Sequence, residues 1–369
     1  MRPVDLIVGV VMPKGDWLWE KILIFFSFFG LIKFVGDPPR EQIFNRSLII
    51  LDEAKKRGIE VEAIKIFGNF KNEYRYRLPG LRAGAWRYFE ANPLADEHRS
   101  LSDHKGSFKK LMRKAGVPVP EGQLFTRQRR AIGYAEILGF PLVVKPATGS
   151  LGYHSTYEIQ NQNELKRAME IAQIFRPDFI VERHILGENF RATVIGRQQV
   201  FVCGKDRANV VGDGRSTIGE LIDEKNSDPR RGDYGPKNVT LHKIPKDHAM
   251  LRASLAEQNL DFDFVPLPGQ KIYLFKDFVP GSGIDFVNIT GRVHKENLEL
   301  FLKAARVLET DLVGFDLIAE DMTRPYYAQT FAMLEANSLP YLDLHQFPSH
   351  GEPSDIAKIV WDVTMEKLL

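Results

Sequence analysis

Three oxygen-bearing side chains near the end of the 369-residue sequence stand where apolar strand is expected: Asp316 within residues 312–318 (LVGFDLI), and Glu335 and Asn337 within residues 331–338 (FAMLEANS). A carboxylate drawn into a core is costly unless a cation or hydrogen bonds meet it. Residues two apart on a strand share a face, so Glu335 and Asn337 point the same way, and Asp316 on a neighbouring strand can join them. Hard oxygens in this number suit Mg²⁺, which takes one or two carboxylates and completes its shell with water and phosphate oxygens. The ordinary alternative is that Asp316 ends a strand and Glu335 pairs with an arginine.

A second stretch carries complementary charge. Residues 141–146 (PLVVKP) read as a strand with Lys145 at its end, followed by the glycine-containing loop 147–155 (ATGSLGYHS). Backbone N–H groups of such a loop can wrap phosphate oxygens while the ammonium neutralises charge. The spacing is not that of a Walker loop, and many strand-end lysines bind nothing. Lys105, Lys109 and Lys110 crowd one short helix, where solvated lysines are the default expectation.

The elements that must position these residues follow from pattern and punctuation. Residues 4–12 and 61–66 read as buried strands, 47–57 as a helix stopped by Gly58, and 131–138 as a helix stopped by Gly139. A helix capped by Ser102 or Asp103 carries Phe108, Leu111 and Met112 on one face. Leu165, Ala168, Met169 and Ala172 mark a helix over 163–175, and 179–185 reads as a strand. Residues 190–195 and 199–206 form a hairpin at Gly196-Arg197, and Ser216-Thr217 opens a helix in the manner of a capping box. Residues 226–238, polar and rich in Gly and Arg, read as a lid or a solvated surface loop. The aromatic and arginine-rich residues 69–92 suit packing between lobes better than base stacking.

Composition narrows the class. Hydrophobic residues make up 44% of a chain long enough for two or three domains, which indicates a globular protein. Fifty basic residues against 48 acidic ones leave +2, a balance that argues against a nucleic-acid partner. The lone cysteine, Cys203, lies in an apolar run, fits a reducing cytoplasmic compartment, and reads as a buried structural thiol. No cleavable signal is evident. Residues 22–32 (ILIFFSFFGLI) fall short of the roughly 20 needed to cross a bilayer, so they read as a buried helix or a homodimer contact, with attachment to a membrane surface as the lesser alternative.

In their order along the chain, residues 207–214 (RANVVGDG) with 216–218 (STI), 226–232 (NSDPRRG), 283–287 (GIDFV) through His294, and 335–340 (EANSLP) with His345 resemble the ATP-grasp family. Within it the likeness is to the modules found in cyanophycin synthetase and in the bifunctional bacterial glutathione enzyme, over roughly residues 100–369. The resemblance implies an α/β fold of the α+β ATP-grasp type: an N-terminal α/β domain over 1–100, a central lobe with a glycine-containing flap over 101–185, and a C-terminal lobe with metal site and substrate loop over 186–369. The two lobes would clamp ATP between them. It further implies that Lys105 and Lys145 touch ATP phosphates, and that Thr148, Gly149, Ser150 and Gly152 belong to the flap. Glu182, Arg183, His184 and Ile185 would form the adenine hinge, with Glu188 near the ribose. Arg191 and Arg207 would hold the γ-phosphate and the acyl-phosphate oxyanion, and Asp316, Glu335 and Asn337 would bind Mg²⁺, with Mn²⁺ as a substitute. Three departures, His154 in the flap, residues 278–282 (FVPGS) and Tyr341, fall on the flap and the acceptor side.

The expected reaction begins with attack of a substrate carboxylate on the γ-phosphate of ATP and ends with an amine displacing phosphate from the acyl phosphate. Its partners would be small-molecule carboxylates and amines, such as amino acids or a short peptide. Two rivals stand beside it: a phosphotransferase on the same fold, and a nucleotide-binding regulator without turnover.

Overall fold

The computed structural model describes residues 17–78, 86–94, 99–149, 154–235, 237–276, 278 and 281–368. The chain divides into two compact units, one built from Met1–Glu97, Lys205–Asn288 and Tyr341–Leu369, the other from His98–Gly204 and Ile289–Pro340. The strand expected over residues 4–12 lies outside the described residues.

In the first unit, strands Ile32–Val35, Glu60–Ile66, Asn69–Arg77 and Arg87–Glu90 form an antiparallel sheet in that order. Arg75 lies 3.4 Å from the Phe34 ring centroid and 4.1 Å from that of Trp86, and Tyr76 and Phe89 meet the Trp361 ring, so these members of the aromatic and arginine-rich stretch pack within the first unit. Helix Asn45–Lys56 packs on helix Ile356–Leu368, where buried Trp361 donates Nε1–H to the Ile50 carbonyl at 2.9 Å. Gly58, at φ +67°, supplies the left-handed residue after the first of these helices.

The same unit holds helix Ile218–Asn226, which opens with a full capping box between Thr217 and Glu220. The segment that follows is pinned. Arg231 is buried, donates to the His242 carbonyl at 2.8 Å and pairs with buried Asp285, which Lys225 also meets at 2.5 Å. A guanidinium anchored in this way is at odds with a loop that is solvated throughout. The helix Trp17–Phe28 is shorter than a membrane span, and among the described residues no helix is long and apolar enough to cross a bilayer. It is not the buried helix anticipated, because Phe25, Phe28 and Phe29 face solvent.

Two antiparallel sheets make up the second unit. The first runs Gly122–Phe125, Phe179–Arg183, Leu142–Pro146, Thr156–Ile159, with helices Gln128–Leu138 and Gln162–Phe175 covering it through Ala131, Ala135, Leu165, Met169 and Ala172. Asn161 caps the longer helix by accepting from the backbone N–H of Asn163 and Glu164. The second sheet contains Gln199–Asp206, Glu188–Ile195, Leu312–Ala319 and Phe331–Asn337 in that order. Its first two strands turn at Gly196 and Arg197, both at positive φ, as a two-residue hairpin requires. Helices Lys105–Lys114 and Lys295–Val307 bury Phe108, Met112, Phe301 and Ala305 against this sheet, and Cys203 is fully buried.

One helix start differs from expectation. Neither Ser102 nor Asp103 caps Lys105–Lys114; His104 does, its Nδ1 accepting from the Ser107 amide at 3.1 Å. Asp103 accepts instead from the backbone N–H of Ser338 at 2.8 Å and from its hydroxyl at 2.7 Å. That pair ties the helix start to the end of the last strand.

Candidate active site

The acids singled out in the sequence occupy adjacent antiparallel strands. Asp316 on Leu312–Ala319 lies opposite Glu335 on Phe331–Asn337, and a bulge follows directly after that pair. Asp316 is also the register partner of Arg191 on Glu188–Ile195. Directly opposed residues place their side chains on one face of a sheet. Arg191 grips Asp316 from Nε at 2.9 Å and Nη2 at 2.8 Å, and Asn337 donates Nδ2–H to the same carboxylate at 3.0 Å. Arg191 Nη1 is buried and has no hydrogen-bond partner among the described residues. A Cβ at Gly314 would come within 2.6 Å of that nitrogen and 2.8 Å of Pro340 Cβ, so the guanidinium occupies room that only glycine leaves.

The lysines arrive from two other elements. Lys105 opens its helix with its backbone N–H on the Ala147 carbonyl at 2.9 Å, which fastens the helix to the end of strand Leu142–Pro146. Its ammonium lies 3.0 Å from Glu335. Lys109, one turn on, shares that face, and Lys145 stands on the strand. Their common counter-ion is Glu182 on Phe179–Arg183, with Lys145 at 2.7 Å and Lys109 at 2.6 Å on its two oxygens. Glu182 pairs in register with Val143, so it shares a face with Lys145 on the next strand. On its other side, a Cβ at Gly122 would come within 2.4 Å of Glu182 Cβ.

Burial sets the electrostatics of this group. Desolvation alone would raise the Glu182 carboxyl, but Lys109 and Lys145 outweigh it and hold it below the ordinary range. Burial would likewise lower Lys145, yet Glu182 and Glu335 leave it above its usual value. For Lys109 burial wins, reinforced by the neighbouring Lys145 charge, and brings it down to about 8 despite Glu182.

The remaining expected residues are distributed as follows. The Thr148 hydroxyl accepts from Arg176, Gly149 stands at φ +67° over the Phe175 ring, and His154 stacks on that ring at 5.2 Å. Ser150 and Gly152 lie outside the described residues. The backbone N–H of Arg183 donates to the Glu121 carbonyl and that of His184 to the Pro141 carbonyl, so these two hinge donors are engaged within the protein. Ile185 follows them, and Glu188 opens its strand, exposed. Arg207 belongs to the other compact unit, where it donates to the Lys276 carbonyl and lies over Tyr273 at 4.2 Å.

The structure thus brings together Lys105, Lys145, Glu182, Arg191, Asp316, Glu335 and Asn337, and adds Lys109. The expectation of a solvated Lys109 is overturned, since it is 2% exposed. Its spacing of four from Lys105 was the available signal. Glu182 acts through its side chain as a counter-ion, a role its sequence context did not disclose. Among the described residues no three His, Cys, Asp or Glu side chains gather as a metal site; the oxygen donors here are two carboxylates and an amide.

Residues 111–213 match the family described as the C-terminus of D-ala D-ala ligase. The fold is similar to part of a bifunctional glutathione synthetase from Pasteurella multocida, with a TM-score of 0.67 at 24% identity over 89% of this chain and 44% of that one. Cyanophycin synthetase of Trichormus variabilis is 32% identical over 317 residues, which is 85% of this chain and 34% of the relative. Over most of its length the chain is thus similar to part of cyanophycin synthetase, and over residues 111–213 to the C-terminus of D-ala D-ala ligase. The glutathione biosynthesis bifunctional protein of Clostridium perfringens is 27% identical over 86% of this chain and 40% of its own length. That of Desulfotalea psychrophila is 25% identical over 95% of this chain, so the likeness reaches well into the first hundred residues, beyond the motifs that first carried it. The chain spans about a third of the length of the cyanophycin synthetases it matches.

Proposed function

We propose that this protein is an ATP-dependent ligase that joins a carboxylate to an amine through an acyl phosphate, releasing ADP and phosphate. The observation that carries the reading is the meeting of cationic and carboxylate side chains from one helix and the strands of two sheets within one unit. Lys105, Lys109, Lys145 and Arg191 face Glu182, Asp316 and Glu335, four cations against three carboxylates. The group is nearly neutral by itself. Its lysines can therefore exchange protein carboxylates for phosphates without stranding a charge.

The donor set fits a nucleoside triphosphate with a divalent ion. Asp316, Glu335 and the Asn337 amide offer hard oxygens, and the buried, unsatisfied Nη1 of Arg191 suits an anionic oxygen. Magnesium, when bound, would spread the charge on the phosphates so that a carboxylate can approach. Lys105 on leaving Glu335, and Lys145 on leaving Glu182, would hold phosphate oxygens, while Lys109 keeps Glu182 paired. Arg191 fixes Asp316 and directs its remaining N–H groups at developing negative charge. The lobes over 101–185 and 186–369 are taken to close over the nucleotide, with Thr148 and Gly149 in the flap and residues 183–188 along adenine and ribose.

The bonds balance simply. A carboxylate oxygen attacks the γ-phosphorus and ADP leaves; the amine nitrogen then attacks the acyl carbon, loses a proton, and phosphate departs with the former carboxylate oxygen. No side-chain nucleophile is needed, since positioning and electrostatics lower the barrier. Amino acids and short peptides are the substrates this reading favours, because the relatives are named as cyanophycin and glutathione enzymes. A matrix of amino acids and dipeptides, read by phosphate release and product mass, tests it. Condensation products that vanish in Lys145→Ala support the reading; a phosphorylated product, or none across the matrix, overturns it.

A further inference from the structure

Helix Trp17–Phe28 and the turn after it leave an apolar surface uncovered within the first unit. Phe28 is 87% exposed, Phe25 60% and Phe29 59%, and Ile24, Phe26 and Leu31 are exposed beside them. The surface is continuous, because Phe25 touches both Phe26 and Phe29 edge-on, with ring centroids 5.6 and 5.1 Å apart, and Phe28 meets Phe29 at 5.6 Å. It extends to Phe67, 57% exposed, whose backbone N–H donates to the Leu31 carbonyl at 2.9 Å. At roughly 200 Å² for a fully exposed large side chain, these seven residues present about 750 Å² of apolar surface. That exceeds the ~300–600 Å² of the largest patch on a typical monomer and matches the ~800 Å² each partner buries in a standard interface.

We propose that this patch is the contact between two copies of the chain. Strand Ile32–Val35 lies at the end of the four-stranded order and, among the described residues, pairs only with Glu60–Ile66, next to the patch. A two-fold axis through the patch would set the phenyl rings of each copy against those of the other, the self-complementary arrangement that a C2 interface requires. A lipid surface is the competing occupant, since Lys21 is exposed on the same helix and Lys33 pairs in register with Lys65 at this edge.

Sedimentation velocity from about 1 to 100 µM of the whole chain reads the self-association directly. The expected result is a dimer that dissociates at least tenfold more readily in Phe28→Asp and Phe29→Asp, two substitutions at solvent-facing positions that leave the thermal midpoint of the fold unchanged. A wild-type chain that stays monomeric throughout overturns the proposal, as does a dimer indifferent to both substitutions. Co-sedimentation of the wild-type monomer with phosphatidylcholine–phosphatidylserine vesicles, lost in the same variants, would reassign the patch to membranes and equally overturn it.

Discussion

Glu335 lies opposite Asp316 in the antiparallel pair, yet the two carboxylates take cations from different elements: Glu335 the ammonium that opens a helix, Asp316 a guanidinium from the next strand. Like charges facing each other across a ladder repel, and this arrangement gives each its own partner. In the proposed ligase the two acids can then serve one metal ion once Lys105 moves to phosphate. Glu335→Gln keeps the shape and removes the charge, so ATP turnover should fall by about 10²–10³-fold while the fold persists. Steady-state ADP formation and circular dichroism check both halves; full turnover would remove Glu335 from the site.

Glu182 is the hub of the buried ion pairs, and both oxygens are occupied. Glu182→Gln leaves buried Lys109 without a counter-charge and Lys145 with Glu335 alone, a loss of about 3–5 kcal/mol. Urea unfolding of the variant at neutral pH should show it, and the deficit should shrink at alkaline pH as Lys109 gives up its proton.

The lysines themselves carry opposite pH signatures. Lys109, drawn down to about 8 by burial, binds fewer protons in the folded chain than in the unfolded one between that pH and its ordinary 10.5. Its contribution to stability therefore rises as pH climbs through this window. Lys145, held above its usual value, contributes below 10.5 and loses that contribution as pH rises through its folded value. Glu182, held low, contributes above its ordinary 4.5 and ceases to as pH falls through its folded value. Unfolding midpoints of wild type and Lys109→Met at pH 7 to 10 isolate the first effect. Wild type should gain on the variant with rising pH, and a constant difference would contradict the burial argument.

Gly314 tests the placement of Arg191 without touching a charge. The methyl of Gly314→Ala meets the guanidinium and the Pro340 ring closer than van der Waals contact allows. A stability loss of about 1–3 kcal/mol is expected from the overpacking. Turnover should fall together with the turnover of Arg191→Lys, which cannot reproduce the two-point grip on Asp316. A Gly314→Ala enzyme with normal turnover would show that the guanidinium position is immaterial.

Much of this framework was legible in local pattern. The strands bearing Asp316 and Glu335 announced themselves by apolar periodicity, and Gly139 and the Thr217–Glu220 box marked helix ends. What escaped was long-range. Asp103 looked like a helix cap because its true partner, Ser338, stands 235 residues away. Lys109 looked solvated because its counter-ion comes from another strand, and residues 226–238 looked loose because Arg231 finds Asp285 far along the chain. The aromatic run 22–32 read as a buried helix or a homodimer contact, and the exposure of Phe25 and Phe28 goes against the first of these.

Oxygen transfer tests the proposed ligase chemistry most directly. With a carboxylate substrate labelled with ¹⁸O and an amine that supports turnover, an acyl-phosphate route predicts one ¹⁸O in each phosphate released and an amide retaining the other. Phosphate free of label, or label retained in a phosphorylated product, would contradict it.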